Sequence, residues 1–60
     1  MTNIKKLREK SGLSQIELSK LLNVGQSAVS MWENGTNVPK TEMLPKLAKI
    51  FGCTIDELFK

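Results

Sequence analysis

The sequence contains no histidine and only one cysteine among its 60 residues. A single cysteine cannot form an internal disulfide, and without clustered histidine or cysteine no structural metal site is expected. The sequence also lacks a thiol with a neighbouring base, paired carboxylates beside a cleft, and a glycine-rich phosphate loop. The adjacent Asp56 and Glu57 are not such a carboxylate pair, because they are better explained as helix-start charges. We therefore expect no enzyme activity, no metal and no cofactor.

Long apolar segments are also missing. No run of about 18 apolar residues is present, and the N-terminal residues have no signal-peptide pattern, so we expect a soluble, cytoplasmic protein without a membrane partner. The chain is expected to form one domain, 1–60, which buries only about 60% of its unfolded surface and depends on packed helices for stability. Cys53 is expected to be a buried small hydrophobe rather than a reactive thiol.

The charge that is present is mainly positive. The formal net charge is +3, which suits a polyanionic partner without proving one. Basic residues gather in the first predicted helix (Lys5, Lys6, Arg8 and Lys10) and mark the fourth (Lys40, Lys46 and Lys49). The basic face of the first helix is either an ordinary solvated surface or an approach to phosphate.

Apolar residues at helical spacing predict an all-α, compact five-helix bundle. The first predicted helix runs from Asn3 to Lys10, the second begins at a capping box formed by Ser14 and Glu17, and the third runs from Gln26 to Glu33. The fourth begins between Thr41 and Leu44 and ends at Gly52, and the fifth is a single turn after Thr54. Thr2 or Asn3 is expected to cap the first helix. Ile55 and Leu58 are expected to face inward from the last one.

Four apolar residues exceed what this small core is expected to accept: Met43, Ile50, Leu58 and Phe59. They either pack the fourth and fifth helices against each other or form a contact across a two-fold homodimer.

The third predicted helix has two sides of different chemistry. At about 100° per residue, Ala28, Val29 and Trp32 fall on one apolar side. The opposite side has hydrogen-bonding groups and one thioether, from Gln26, Ser27, Ser30, Met31 and Asn34. A helix that is held on one side, bare on the other and flanked by positive charge is shaped to enter the major groove of DNA.

The turn before this helix supports the same interpretation. Leu18 and Leu22 are placed to face the core, and Asn23 falls where the backbone needs a positive φ. Together with Leu7-Arg8, Ser14-Gln15, Glu33-Asn34-Gly35, Pro39 and Asp56-Glu57-Leu58, this pattern resembles the helix-turn-helix of the phage repressor and Cro family of DNA-binding domains. The resemblance covers nearly the whole chain.

The resemblance implies roles for individual side chains. Base contacts are implied for Gln26, Ser27, Ser30 and Met31, although Met31 either packs on a thymine methyl or is simply exposed. Phosphate contacts are implied for Ser14, Gln15, Gly25, Asn34, Thr36 and Lys40. Gly25 departs from the family's usual serine or threonine cap, which either loosens the first turn or lets the backbone approach a phosphate. Arg8 and Glu33 match a structural ion pair between the first and third helices.

The expected partner is therefore double-stranded DNA. We expect a sequence-specific transcriptional repressor or regulator that acts as a dimer on a near-palindromic operator. The alternative is a protein-interaction module or antitoxin-like adaptor with the same fold, which Met31 and the uncharged outer side of the third helix favour.

Overall fold

The computed structural model describes residues 2–59, and all regular secondary structure in that range is helical. The four α-helices are α1 (Ile4–Lys10), α2 (Gln15–Leu22), α3 (Gln26–Asn34) and α4 (Leu44–Phe51), and two 3₁₀ turns, Thr41–Met43 and Asp56–Phe59, lie before and after α4. The all-α class is confirmed, but the prediction of five helices is wrong because the last of them is a 3₁₀ turn. Met1 and Lys60, the ends of the predicted domain, lie outside the described residues.

The capping box at the start of α2 is present as predicted. The hydroxyl oxygen of Ser14 accepts a hydrogen bond from the backbone N–H of Glu17 (3.0 Å), and the Glu17 carboxylate accepts one from the backbone N–H of Ser14 (2.9 Å). The hydrogen bond from the Ser14 backbone N–H, followed by that from the Ser14 hydroxyl, lowers the pKa of the Glu17 carboxyl. At the other end, Asn23 has φ 58° and ψ 44°, a left-handed conformation that asparagine tolerates, and the chain turns there toward α3.

One core collects apolar side chains from all four α-helices and from the second 3₁₀ turn. Its buried members are Ile4, Leu18, Leu22, Val29, Trp32, Leu47, Ala48 and Leu58. Burial of an aliphatic side chain contributes about 1.5–3 kcal/mol relative to its exposure. Since α3 enters this core through Val29 and Trp32, burial of one side of α3 determines which side faces solvent.

The start of α1 differs from its predicted capping. Asn3 occupies the N-cap position, but its side chain donates to the backbone carbonyl of Glu57 (3.4 Å) instead of capping the helix. The Thr2 hydroxyl donates to the backbone carbonyl of Trp32 (3.2 Å). Neither side chain caps α1, because both are used by partners that are distant in the sequence.

The second 3₁₀ turn keeps its predicted cap but not its predicted orientation. Thr54 and Glu57 exchange hydrogen bonds between the backbone N–H of each and the side chain of the other, at 2.9 and 3.2 Å. Leu58 is fully buried, as predicted, whereas Ile55 is 41% exposed, so its predicted inward orientation is wrong. Ile55 directly precedes the 3₁₀ turn, in which Leu58 is the buried residue.

The apolar surplus near the C-terminus is smaller than predicted. Met43 and Ile50 pack against the core and Leu58 lies inside it, so that of these four residues Phe59, at 44% exposure, is the one left exposed. Cys53 is half-buried against the core, and burial, with the charge of Glu57, raises the pKa of its thiol. Within residues 2–59, none of the helices has the length and apolar character that crossing a membrane requires.

Candidate nucleic-acid interface

The outward side of α3 is polar and uncharged. Gln26 and Ser27 are exposed, and Ser30 and Met31 are half-buried. Behind them Val29 is fully buried and Trp32 is 5% exposed. The helix therefore presents hydrogen-bonding groups outward while its apolar side fixes its orientation against the domain.

The turn between α2 and α3 permits close packing of the two helices. Ser19 is buried, and its hydroxyl donates to the backbone carbonyl of Ile16 (2.7 Å), so its polar atom is satisfied within α2. Val24 packs against the core just before α3 begins. Gly25 is the N-cap residue of α3 and gives it no side-chain hydrogen bond. The first turn of α3 therefore has no side-chain cap.

Arg8 and Glu33 join α1 to the C-terminal half of α3. The guanidinium donates from Nε to Oε2 of Glu33 (2.6 Å) and from Nη2 to Oε1 (3.2 Å), so the contact is bidentate. Nη1 donates to the backbone carbonyl of Leu13 (2.7 Å), which ties the loop after α1 to the same group. Because the two side chains are only 12% and 4% exposed, the pair is largely shielded from water.

Gln15 completes the surroundings of Glu33. Its Nε2 donates to Oε1 of Glu33 (3.0 Å). Burial alone would raise the pKa of Glu33, but hydrogen bonds from Arg8 and Gln15 and the charges of Arg8 and Lys5 outweigh it, so the pKa is lowered. The hydrogen bond with Glu33 in turn raises the pKa of Arg8. Glu33 is therefore an ionised acceptor that joins α1, α2 and α3.

Gln26 extends this network to the exposed side of α3. Its Nε2 donates to Oε1 of Gln15 at 3.4 Å, a long and therefore weak hydrogen bond. Sequence reasoning did not find the contacts that Gln15 makes with Gln26 and Glu33. No local pattern indicates them, because Gln15 is 11 and 18 residues away from these partners.

The predicted phosphate-contacting residues lie at the starts of α2 and α3 and around the end of α3. Of these, Ser14, Gly25, Asn34, Thr36 and Lys40 are exposed, and Gln15 is half-buried. The side-chain oxygen of Asn34 accepts a hydrogen bond from the backbone N–H of Thr36 (2.8 Å), so this oxygen is used within the turn after α3. The Ser14 hydroxyl oxygen is already used in the cap of α2.

Two clefts lie along α3. The polar cleft, of about 400 Å³, is lined by Lys5, Arg8, Gln15, Ser30, Glu33 and Asn34. The apolar cleft, of about 240 Å³, is lined by Val24, Ala28, Trp32, Val38, Lys40 and Met43, with Asn37 and Glu42. At about 100° per residue, Ser27 and Met31 occupy the arc of α3 between the two clefts.

The fold and this surface define a class of protein. It is an all-α domain in which α2 and α3 form a helix-turn-helix, and α3 is exposed on one side. A helix-turn-helix family model matches residues 4–58, and the chain belongs to that family. The resemblance to phage repressors and related transcription regulators is confirmed. No group of histidine, cysteine, aspartate or glutamate side chains in the described part of the chain could hold a metal ion.

Three relatives illustrate the range of this family. The chain is 40% identical over 55 residues to the HTH-type transcriptional activator BcrR of Enterococcus faecalis, which covers 92% of this chain and 27% of that protein. It is 39% identical over 57 residues to the cryptic phage CTXphi transcriptional repressor RstR of Vibrio cholerae, covering 95% and 51%. It is 33% identical over 49 residues to the antitoxin PezA of Streptococcus pneumoniae serotype 4, covering 82% and 31%. The chain thus spans between about a quarter and a half of the length of these relatives.

Proposed function

We propose that this domain binds double-stranded DNA in a sequence-specific manner and acts in the cytoplasm as the DNA-binding part of a transcription regulator. The observation that carries the proposal is the uncharged, exposed side of α3 opposite the buried Val29 and Trp32. The major groove of B-DNA is about 12 Å wide, and an α-helix with its side chains is about 10–12 Å across. An orientation fixed by the core would bring the same side chains to the same base edges each time.

Four side chains of α3 would read the bases. The exposed amide of Gln26 suits an adenine, which offers a donor at N6 and an acceptor at N7 to one glutamine. Ser27 would bond any of several base edges, and Met31 would pack on a thymine methyl. Ser30, which lines the polar cleft and lies between Gln26 and Ser27 around the helix, would bond a base edge next to theirs.

Phosphate contacts would set the register of α3 in the groove without selecting a sequence. We assign them to the exposed Ser14, Gly25, Asn34, Thr36 and Lys40 and to the half-buried Gln15. If about three or four phosphates are neutralised per domain, log K should fall against log salt with a slope near −3 to −4.

The names of the relatives support regulation of transcription, by activation in BcrR and by repression in RstR. We propose that two copies bind half-sites about 34 Å apart on a near-palindromic operator. The exposed Ile55 and Phe59, at 41% and 44%, offer apolar surface for the contact between the copies.

Selection of bound duplexes from a random pool would test this proposal. We expect enrichment of a motif that contains an adenine opposite Gln26 and that recurs with dyad symmetry about one helical turn away. A variant with both Gln26→Ala and Ser27→Ala is the matched control, since both side chains are exposed and the fold should not need them. No enrichment with the wild type, or the same enrichment with the variant, would refute sequence reading by α3.

The second candidate is a protein-interaction module, as in an antitoxin or a regulatory adaptor. The similarity to the antitoxin PezA and the thioether of Met31 on an uncharged surface favour it. A gel shift on random duplex DNA at low salt separates the two functions. A DNA-binding domain should retard the duplex through phosphate contacts alone, whereas an adaptor should leave its mobility unchanged.

A further inference from the structure

The two clefts beside α3 each include one lysine. Lys40 lines the apolar cleft, and Lys5, on α1, lines the polar cleft. The α3 residues in the polar cleft, Ser30 and Asn34, and those in the apolar cleft, Ala28 and Trp32, lie on either side of the arc that Ser27 and Met31 occupy. The two lysines therefore line clefts on either side of this arc of the proposed reading surface.

A helix in the major groove has one sugar-phosphate backbone on each side, because groove and helix have nearly the same width. Lys40 is already assigned to one backbone. We propose that Lys5 binds a phosphate of the other backbone, which would enter the polar cleft between α1 and α3. This inference rests on the proposed DNA binding and adds α1 to the contact surface.

Of the two cations in the polar cleft, Lys5 is the one that is available to a ligand. Three N–H groups of Arg8 are already used, by Glu33 and by the carbonyl of Leu13. The Lys5 ammonium has no hydrogen bond or salt bridge among residues 2–59. Because the cleft holds two cations and one carboxylate, it retains one positive charge, which matches the single negative charge of a phosphodiester.

The remaining walls of the cleft favour the same ligand. Asn34 provides an amide beside Lys5, and its N–H groups can donate to phosphate oxygens. The one carboxylate, Glu33, would repel an anion only weakly, since it is 4% exposed and both its oxygens accept hydrogen bonds from Arg8 or Gln15. The volume of about 400 Å³ leaves room for a phosphate group.

This placement distinguishes among the basic residues of α1. Lys6 follows Lys5 directly and is exposed, but it does not line the cleft. A rotation of about 100° per residue turns it toward a different part of the surface. Lys6 is therefore a suitable control, because it has the same charge as Lys5, lies on the same helix and is also exposed.

The first test measures binding of Lys5→Gln and Lys6→Gln to a duplex selected with the wild type, at several salt concentrations. Loss of one phosphate contact should reduce the magnitude of the log–log salt slope by about 0.9 and weaken binding roughly eightfold at 0.1 M salt, equally for all sequences. Lys6→Gln should keep the wild-type slope, and Lys5→Arg should restore it. Equal slopes for the two glutamine variants, or no effect of Lys5→Gln, would overturn the proposal.

The second test replaces the phosphates of that duplex one at a time by uncharged methylphosphonates. We expect one position, beside the half-site, that weakens the wild type but causes no further loss in Lys5→Gln, because the two changes remove the same interaction. Additive losses at every position would refute the contact. A wild-type domain that binds no duplex would refute the proposed function and, with it, this contact, whereas wild-type binding without coupling refutes the Lys5 contact alone.

Discussion

The two sides of α3 contribute in different ways. On the inward side, Val29 and Trp32 are buried among the apolar side chains of the core. On the outward side, Gln26 and Ser27 are exposed and bury little surface. Glu33 lies at the edge between them, where its carboxylate binds both Arg8 and Gln15. Substitutions on the inward side should therefore act mainly on stability, and those on the outward side mainly on DNA binding. Substitutions at the edge should affect both properties.

The largest effect is expected from Trp32→Ala on the inward side. Loss of a buried aromatic side chain should lower the free energy of unfolding by about 3–5 kcal/mol. A domain of this size has a total stability of roughly 3–9 kcal/mol, so the variant should be largely unfolded at elevated temperature. Helical circular dichroism during thermal unfolding measures this. Phe59→Ala, which removes a 44% exposed aromatic ring, should unfold near the wild-type temperature, and equal Tm values for all three proteins would contradict the comparison.

Arg8→Ala should affect both properties. It leaves Glu33 largely buried without its cation, which should cost about 1–3 kcal/mol of stability, less than a fully buried pair because Arg8 keeps 12% exposure. DNA binding should also weaken, since the edge of α3 is no longer held. Urea unfolding and duplex titration measure the two effects, with Lys10→Ala as the control on α1. An unchanged Tm for Arg8→Ala would show that the pair does not hold α3.

Gln26→Ala should change binding alone. We expect a loss of about 1–3 kcal/mol at one base position and a relaxed preference there. The free energy of unfolding should change by less than about 0.5 kcal/mol, as for other exposed positions. Titration against duplexes that differ at each single base pair measures the preference. An equal loss on every sequence would instead make Gln26 a backbone contact.

The smallest effect is the pH dependence at the edge. The pKa of Glu33 is lowered in the folded domain, whereas an unfolded chain has a glutamate pKa of about 4.3. The stability from this carboxylate is therefore fully present above pH of about 4.3 and is lost as the pH falls through the lower, folded value. Thermal unfolding from pH 7 to acid should show a drop in Tm that is smaller in Glu33→Gln. Because the lowered pKa of Glu17 acts in the same direction, Glu17→Gln is the comparison variant.

Local patterns in the sequence predicted the helices well where the pattern and the packing agree. The Ser14–Glu17 capping box begins an eight-residue helix that then buries Leu18 and Leu22. The same type of cap at Thr54 and Glu57 begins only a four-residue 3₁₀ turn, in which Leu58 is the buried residue. A cap determines where a helix can begin, but its length depends on the apolar contacts that follow.

Contacts between distant residues were the main part that the sequence did not predict. Asn3 has the residue type and position of a helix cap, yet its side chain bonds to the carbonyl of Glu57, 54 residues away. The Gln15–Glu33 hydrogen bond, which joins α2 to the ion pair, has no local signal either. The Arg8–Glu33 pair was expected only because the chain resembles a known family, since spacing alone gives no reason for it.

The lack of charge on the outward side of α3 has a consequence for how the proposed regulator would behave when ionic conditions change. The cations lie beside the reading surface, at Lys5 and Lys40, and would contact only the charged backbone, which is the same in every duplex. Added salt would therefore lower the binding constants for correct and incorrect sites by the same factor. The order in which the protein prefers its targets would stay constant while the fraction of each that is bound changes.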